Sequence, residues 1–252
     1  MSEQIVSAFE AGVVQIRINR PEKKNALTSD MYAALVQSLT QAEQNAAVRV
    51  ITLTRSADTF SSGNDVADFV RLGASLSDEL PVRQFLRAIA SVSKPLIAGV
   101  NGMAIGIGVT MLLHCDLVYA ADSASFQMPF TSLGITPEAA SSQLLPLRVG
   151  YHRAAELLLF GERIDAHRAL EIGLINAVCP AAELPAWVMS RAALLAAKPA
   201  ASILATKRLL RREPESIAAR MDAENVEFDR LLQSPETQAI MQAFLDRRKA
   251  GA

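Results

Sequence analysis

The chain has 252 residues, half of them hydrophobic, with 25 Lys and Arg against 26 Asp and Glu. That length can bury one large core, or a core with an appendage. A formal charge of -1 excludes recognition of nucleic acid or an anionic membrane through a basic surplus, so any anionic ligand has to be held by local features.

Residues 1–4 are polar and acidic and lead directly into a strand pattern, without the basic and apolar regions of a secretory signal. The apolar stretch Leu96 to Cys115 is interrupted by Asn101, Gly102, Gly106, Gly108 and His114, which argues against a membrane span. These features predict a cytoplasmic protein. Cys115 and Cys179 are far apart in apolar surroundings and read as buried thiols without a disulfide.

In chain order, Gly12 to Asn19 alternates apolar and polar residues as a strand, with Ile5 to Phe9 as its hairpin partner. Pro21 ends it, a polar loop runs from Arg20 to Leu27, and Thr28 is placed to cap a helix from Ser29 to about Asn45. Val48 to Thr54 is a β-branched run suited to a strand covered on both faces. Gly63 then permits a sharp turn, and Asp65 can cap a short helix beginning near Val66. Asp78 to Val92 has helical periodicity, and Lys94-Pro95 separates it from the strand Leu96 to Val100.

Three glycines, Gly102, Gly106 and Gly108, follow that strand and open an apolar helix. Such a loop lets backbone N–H groups approach a ligand closely, or simply makes a tight turn in a core. Leu117 to Ala121 is a further buried strand, and Phe126 to Phe130 is apolar and irregular. Thr136-Pro137-Glu138 has the form of a helix start, with Thr136 as cap. From Tyr151 helical periodicity dominates, over 153–160, 165–172, 183–197, 200–211, 214–232 and 235–249. The pattern predicts an α/β core over 1–197 and a helical region over 198–252. The side of 222–232 that carries Val226, Leu231 and Leu232 suits a subunit contact.

Several chemistries lack their residues. His114, His152 and His167 are scattered without metal-ligand spacing, no Gly-x-Ser-x-Gly occurs, and Met111 stands where a dinucleotide fingerprint needs its third glycine. What remains is two strand-to-glycine-to-helix junctions, at Ser62-Gly63-Asn64 and Gly106-Ile107-Gly108. Side by side, they could direct the N–H groups of Asn64 and Ile107 at one oxygen, forming an oxyanion hole for an enolate.

The segments Asn19 to Leu27, Phe60 to Val66, Lys94 through Gly108 to Asp116, and Gly173-Leu174-Ile175 together resemble the crotonase, or enoyl-CoA hydratase/isomerase, superfamily over nearly the whole chain. The resemblance implies a crotonase-type spiral of ββα units, a helical C-terminal trimerisation region and an acyl-CoA thioester substrate. It implies a homotrimer or a hexamer of two trimers, with no cofactor beyond the coenzyme A of the substrate and no metal. It assigns the thioester oxygen to the Asn64 and Ile107 N–H groups. It also puts Lys23 and Lys24 near the CoA moiety, the backbone around Ser62, Asp65 and Val66 against the adenine, and Arg247, Arg248 and Lys249 toward the CoA phosphates of a neighbouring subunit. Before any ligand is considered, Lys23 and Lys24 read as solvated loop charges.

The hydratase branch activates water between two glutamates. Their places are here Thr110 and Phe130. The segment Gln127 to Ser142 is instead similar to the peroxisomal-type Δ3,Δ2-enoyl-CoA isomerases, whose acid after the proline is the base; that acid is Glu138. An acid at a helix start also satisfies the macrodipole with no chemistry. As a base, Glu138 should have its pKa raised by apolar neighbours such as Phe130, Leu133 and Ile135. Leu72, Phe85 and Phe130 are candidate walls of the acyl pocket, with Phe130 among the substrate-binding residues. The reading is an enoyl-CoA isomerase. Its alternatives are a hydratase-like enzyme of broad specificity and a non-catalytic acyl-CoA-binding or scaffolding member of the family.

Overall fold

The apolar alternation of the N-terminal third resolves into a sheet. A computed structural model describes residues 4–55, 58–68 and 79–250, excluding the side chains of 244, 245 and 247–250. Strands β1 (Ile5–Glu10) and β2 (Val13–Ile18) form an antiparallel hairpin. β2 then pairs in parallel with β3 (Val50–Arg55), β3 with β4 (Leu96–Val100), β4 with β6 (Leu117–Ala121), and β6 with β9 (Ala177–Cys179). The parallel strands are continuous in hydrophobicity because both faces are covered; Ile16, Val50, Ile51, Ile97, Ala98 and Val100 have no accessible surface.

A second sheet holds β5 (Met103–Ile105), β7 (Ser125–Gln127) and β8 (Ile164–Asp165), in the order β5-β7-β8. Each of β4 and β6 is followed within a few residues by a strand of this smaller sheet and then by helical chain. β3 does the same through an isolated bridge from Ser61 to Ala104. The repeated strand, short strand and helix make a spiral of ββα turns. The chain divides into two compact units, 1–195 and 196–252. In chain order α5 (Tyr151–Leu159), α6 (Ala166–Glu171) and α7 (Leu184–Ala196) precede the second, which contains α8 (Ala200–Leu210), α9 (Ile217–Leu232) and α10 (Pro235–Ala250). Within it, Glu227 pairs with Arg208 and Arg230, both at 2.7 Å.

Local signals hold at several element starts. Thr28 Oγ1 accepts from the Met31 N–H at the start of α1 (Ser29–Gln44). Asp65 Oδ1 accepts from Ala67 and Asp68 as the chain turns helical at 66–68. Asp116 accepts from the Leu96 N–H and so ties β6 to β4. Both cysteines are free and buried.

Other expectations require correction. Thr136 caps nothing: the helix α4 begins at Ser141 and runs to Val149. Before it, Ala139 and Ala140 have φ of 55° and 54°, which a right-handed helix cannot contain. The Glu138 carbonyl accepts from both the N–H and the hydroxyl of Ser141, and the Ala139 carbonyl is held by His114 Nε2 at 2.9 Å. Tertiary contacts thus override the Thr-Pro-Glu signal. The glycine loop leads into four residues of α-helix, α3 (Ile107–Thr110), and a 3₁₀ turn, Met111–His114, not one continuous helix. Helix α2 is Pro81–Ser91, so its expected start at Asp78 lies outside the described residues. The strands β5, β7, β8 and β9, two or three residues each, are too short to show a period, and β8 and β9 interrupt the expected all-helical second half.

The lead-in to β4 is joined to the end of α1. Lys94 Nζ donates to the carbonyls of Ala42 and Asn45, each at 2.6 Å, and Glu43 Oε1 accepts from the N–H groups of Ser93 and Lys94. A buried ammonium at a helix C-terminus satisfies carbonyls that have no intrahelical partner. Lys94→Met is therefore expected to lower unfolding free energy by about 1–3 kcal/mol, measured by denaturant titration of the whole chain.

Candidate active site

Both glycine junctions lie in the 1–195 unit, and backbone hydrogen bonds bind them together. The Ser61 N–H donates to Met103 O at 3.0 Å and the Ile105 N–H to Ser61 O at 2.9 Å. Gly63 has φ +97°, and a Cβ there would stand 3.1 Å from Ile105 O; a Cβ on Gly108 would meet Ser61 O at 2.9 Å. The two loops touch backbone to backbone, and any side chain at these positions would separate them.

The N–H groups around this seam are nearly all used. Ser62 donates to Lys24 O, Gly63 to Ser61 Oγ, Asp65 to Leu27 O and Gly106 to Gln127 O. The N–H groups of Asn64 and Ile107, with that of Gly108 next to Ile107 in the first turn of α3, donate to no acceptor among the described residues. Buried Asn25 fixes the seam from behind: its amide nitrogen donates to Thr59 O, its carbonyl oxygen accepts from the Arg20 N–H, and its backbone oxygen accepts from Ser61 Oγ. Sequence reading missed Asn25. Its positive φ of 55° beside Lys24 marks a turn, but one asparagine in a polar loop carries no distinguishing signal.

Across the site, Glu138 Oε1 is buried with no hydrogen-bond partner among the described residues, although the residue as a whole is partly open. Burial drives its pKa up to about 7, against a smaller lowering by the Thr110 hydroxyl. Thr110 Oγ1 is itself buried and meets no partner at hydrogen-bond geometry, so its influence on the carboxyl is that of a nearby dipole. Tyr32, on α1, donates its hydroxyl to Asn64 Oδ1 and stacks on Phe85 with centroids 5.4 Å apart. Its pKa is raised by burial first and then by the carboxylates of Glu138 and Asp68. Tyr32 therefore belongs to the same neighbourhood as Asn64 and Glu138, which an apolar helix position did not reveal.

The remaining residues fall as follows. Lys23 and Lys24 are exposed, on a loop laid against Ser62. Asp65 forms a 2.7 Å ion pair with Arg20, whose guanidinium holds its carboxyl below the usual range. Val66 is 71% exposed and Phe130 is buried. Leu133 and Ile135, expected to bury Glu138, are 68% and 46% exposed, and the expectation about them is corrected: the desolvation of the carboxyl does not rest on buried side chains at 133 and 135. The side chains of Arg247, Arg248 and Lys249, and Leu72, lie outside the described residues. Among the described residues, no three His, Cys, Asp or Glu side chains gather as a metal site. No single helix among them is long and apolar enough to cross a membrane.

Unused backbone donors at a glycine seam, with a buried, unpaired carboxyl nearby, define a protein equipped to move a proton beside a carbonyl while negative charge sits on its oxygen. The comparisons agree with that class. The family description "Enoyl-CoA hydratase/isomerase" matches residues 8–251. The chain is 37% identical to rat (Rattus norvegicus) enoyl-CoA delta isomerase 2 over 86% of its length and 57% of the relative's. It is 33% identical to the 2,3-dehydroadipyl-CoA hydratase of Escherichia coli K12 over 98% of this chain and 97% of that one. It spans about three fifths of the length of the delta isomerases it matches. A solved chain from Magnetospirillum magneticum AMB-1, provisionally described as an enoyl-CoA hydratase/carnithine racemase, superposes with TM-score 0.94 at 42% identity, covering 98% of this chain and 97% of that one. The protein belongs to the enoyl-CoA hydratase/isomerase, or crotonase, family.

The seam makes a stability prediction of its own. Gly108→Ala should cost about 1–3 kcal/mol by forcing Ser61 away, read as a lowered thermal midpoint. A midpoint equal to that of the unaltered protein would show that the loops part freely.

Proposed function

We propose that this protein is a Δ3,Δ2-enoyl-CoA isomerase with Glu138 as its only proton shuttle. The observation that carries the proposal is the buried carboxyl of Glu138, faced among the described residues by the hydroxyl of Thr110 and not by a second acid. The Glu138 carboxylate takes a proton from C2 of a 3-enoyl thioester. The C–H electrons form the C1=C2 π bond of a dienolate as the C1=O π pair moves onto oxygen, and that negative oxygen accepts hydrogen bonds from the Asn64 and Ile107 N–H groups. Glu138 then returns the proton to C4, and the C3–C4 double bond becomes C2–C3. Atoms and charge balance with no co-reactant, so coenzyme A enters only as part of the substrate. Lys23, Lys24 and the backbone at Ser62, Asp65 and Val66 are proposed to hold the CoA moiety, with Arg247, Arg248 and Lys249 contributing from a neighbouring subunit; Phe130 is proposed to line the acyl pocket. Assembly as a homotrimer, or as two stacked trimers, is supported by the exposed Ile217, Met221, Val226 and Phe228 on α9 and is measured by light scattering.

A hydratase-like reading is supported by the E. coli relative, named as a hydratase and matched over nearly its full length. Parallel assays with 3-enoyl-CoA and 2-enoyl-CoA separate the two. Isomerisation should dominate, and Glu138→Gln should lower it by about 10²–10⁴-fold. Dominant hydration, or full isomerase activity in the Gln variant, would sink the proposal, and binding without turnover would support the scaffolding reading.

The base must be ionised to act. Activity should therefore rise with pH and be half-maximal near pH 7, the value to which burial raises Glu138. The Thr110 dipole favours the carboxylate, so Thr110→Val should move that midpoint upward; a downward shift would reverse the sign assigned to the contact. Stability has the opposite dependence. A carboxyl whose pKa is raised on folding binds its proton more tightly in the folded state, so its ionisation costs nothing below the unfolded value near 4.5 and destabilises increasingly up to about pH 7. Glu138→Gln should accordingly be the more stable protein at pH 8, by on the order of 1–3 kcal/mol, with the difference disappearing near pH 4.

A further inference from the structure

We infer that Tyr32 is a positioning residue for the oxyanion-binding loop: its phenolic hydroxyl fixes the Asn64 side chain and thereby the direction of the Asn64 backbone N–H. This inference rests on the reading of Asn64 and Ile107 as donors to a thioester oxygen.

The 62–65 turn is held at both flanks by backbone bonds, Ser62 to Lys24 O and Asp65 to Leu27 O. Between them the Leu27 N–H donates to Gly63 O at 2.9 Å and holds the carbonyl end of the peptide that carries the Asn64 N–H, so a second anchor for that peptide has to act from the Asn64 side. A donor is useful to an oxyanion only when it is aimed in advance, because reorientation during the reaction would cancel the gain. Among the described residues, the Asn64 side chain is bonded by Tyr32 alone. Tyr32 is well placed to supply a fixed point: it sits in the first turn of α1, its backbone N–H donates to Thr28 O, it is 3% exposed, and its ring packs on Phe85. A tyrosine loses two torsions on burial and delivers its hydroxyl from a rigid ring. Burial and two nearby carboxylates keep the phenol protonated, so it remains a donor to Asn64 Oδ1 throughout the range in which Glu138 ionises.

A buried tyrosine could also bond to Asn64 merely to satisfy its hydroxyl. The two roles differ in what removal of the hydroxyl does to chemistry. Tyr32→Phe keeps the ring and its packing. Asn64→Ala removes the side-chain acceptor but keeps the backbone N–H of residue 64. If Tyr32 acts through Asn64, each variant should lower kcat about 10-fold with KM changed less than 3-fold. The double variant should be no worse than either single one, as expected for residues acting in one chain. The midpoint of the pH profile should stay near 7, since the base is untouched.

The measurement closest to the inference is the infrared carbonyl stretch of bound hexanoyl-CoA labelled with ¹³C at the thioester carbon. Hexanoyl-CoA has no double bond to move, so this readout works whether or not the protein isomerises. The wild-type protein should shift the band to lower frequency through its two donors, and both single variants should lose about half of that shift. Full shift and full kcat in Tyr32→Phe would overturn the inference, as would losses that multiply to about 100-fold in the double variant. Should Tyr32→Phe not fold, Asn64→Ala alone decides, because it breaks the same link from the other side. A shifted band without isomerisation would refute the proposed reaction and leave the role of Tyr32 to be judged by the variants. An unshifted band in the wild-type protein would refute both.

Discussion

Everything in the site depends on one close approach of backbone to backbone, the seating of the 61–64 turn against β5 and the start of α3. The Ser61 to Met103 and Ile105 to Ser61 hydrogen bonds set the distance, and the missing side chains at Gly63 and Gly108 permit it. Once the two loops are this near, the surrounding N–H groups are consumed by the seam itself. Those of Asn64 and Ile107 are left over by geometry: one follows a left-handed glycine, the other is the first residue of a helix, where no intrahelical acceptor exists. The architecture supplies this arrangement because each spiral turn passes from the large sheet to the small one. The β3 turn and the β4 turn thereby deliver equivalent points of the chain to the same edge.

The chemistry then follows from what is satisfied and what is not. Behind the seam, polar groups are paired: Asn25 makes bonds through its amide and its backbone, Arg20 meets Asp65, and Ser61 Oγ both donates and accepts. In front of it, the N–H groups of Asn64 and Ile107 among others, the Thr110 hydroxyl and Glu138 Oε1 lack partners among the described residues. Each buried polar atom without a partner costs about 1–3 kcal/mol. A protein that pairs Asn25 so fully and leaves Glu138 so bare is held together by the first set and poised to react through the second. The left-handed Ala139 and Ala140 belong to the second set; Ser141 and His114 hold them in place so that the carboxyl of Glu138 is aimed by a fixed turn.

Legibility in the sequence divides along the same line. Features fixed within a few residues were readable: Thr28 and Asp65 as caps, the parallel strands from their apolar runs, and the glycine junctions as close approaches. Features decided by distant contacts were not. Thr136-Pro137-Glu138 has the local form of a helix start, yet His114, 25 residues away, holds Ala139 and delays the helix to Ser141. β8 and β9 have two and three residues and exist only through their neighbours. Tyr32 occupies an ordinary apolar position of α1, and its hydroxyl acquires meaning only when the fold sets Asn64 opposite it. The acid of the site was visible through family resemblance. Of the three apolar neighbours expected to bury it, Phe130 is itself buried while Leu133 and Ile135 are exposed.

The replacement of an acid by Thr110 shapes the titration of the whole site. Two carboxyls in one desolvated pocket would share their protons, one held low and the other pushed high, and the pair would titrate as a unit. Such a pair suits chemistry in which one group activates water while the other protonates carbon. With a hydroxyl at 110, Glu138 titrates alone. Desolvation raises it, the neighbouring dipole restrains the rise, and the balance near 7 leaves comparable amounts of acid and base at neutral pH. A group that must first accept a proton and then return it two carbons away works best at that balance, because neither transfer is strongly uphill. In the proposed reaction the idle N–H groups complete the condition, because donors aimed at the oxygen lower the energy of a dienolate between the two transfers. On the proposed reading, the hydroxyl at 110 both withholds the second acid a hydratase would use and tunes the Glu138 carboxyl for proton shuttling.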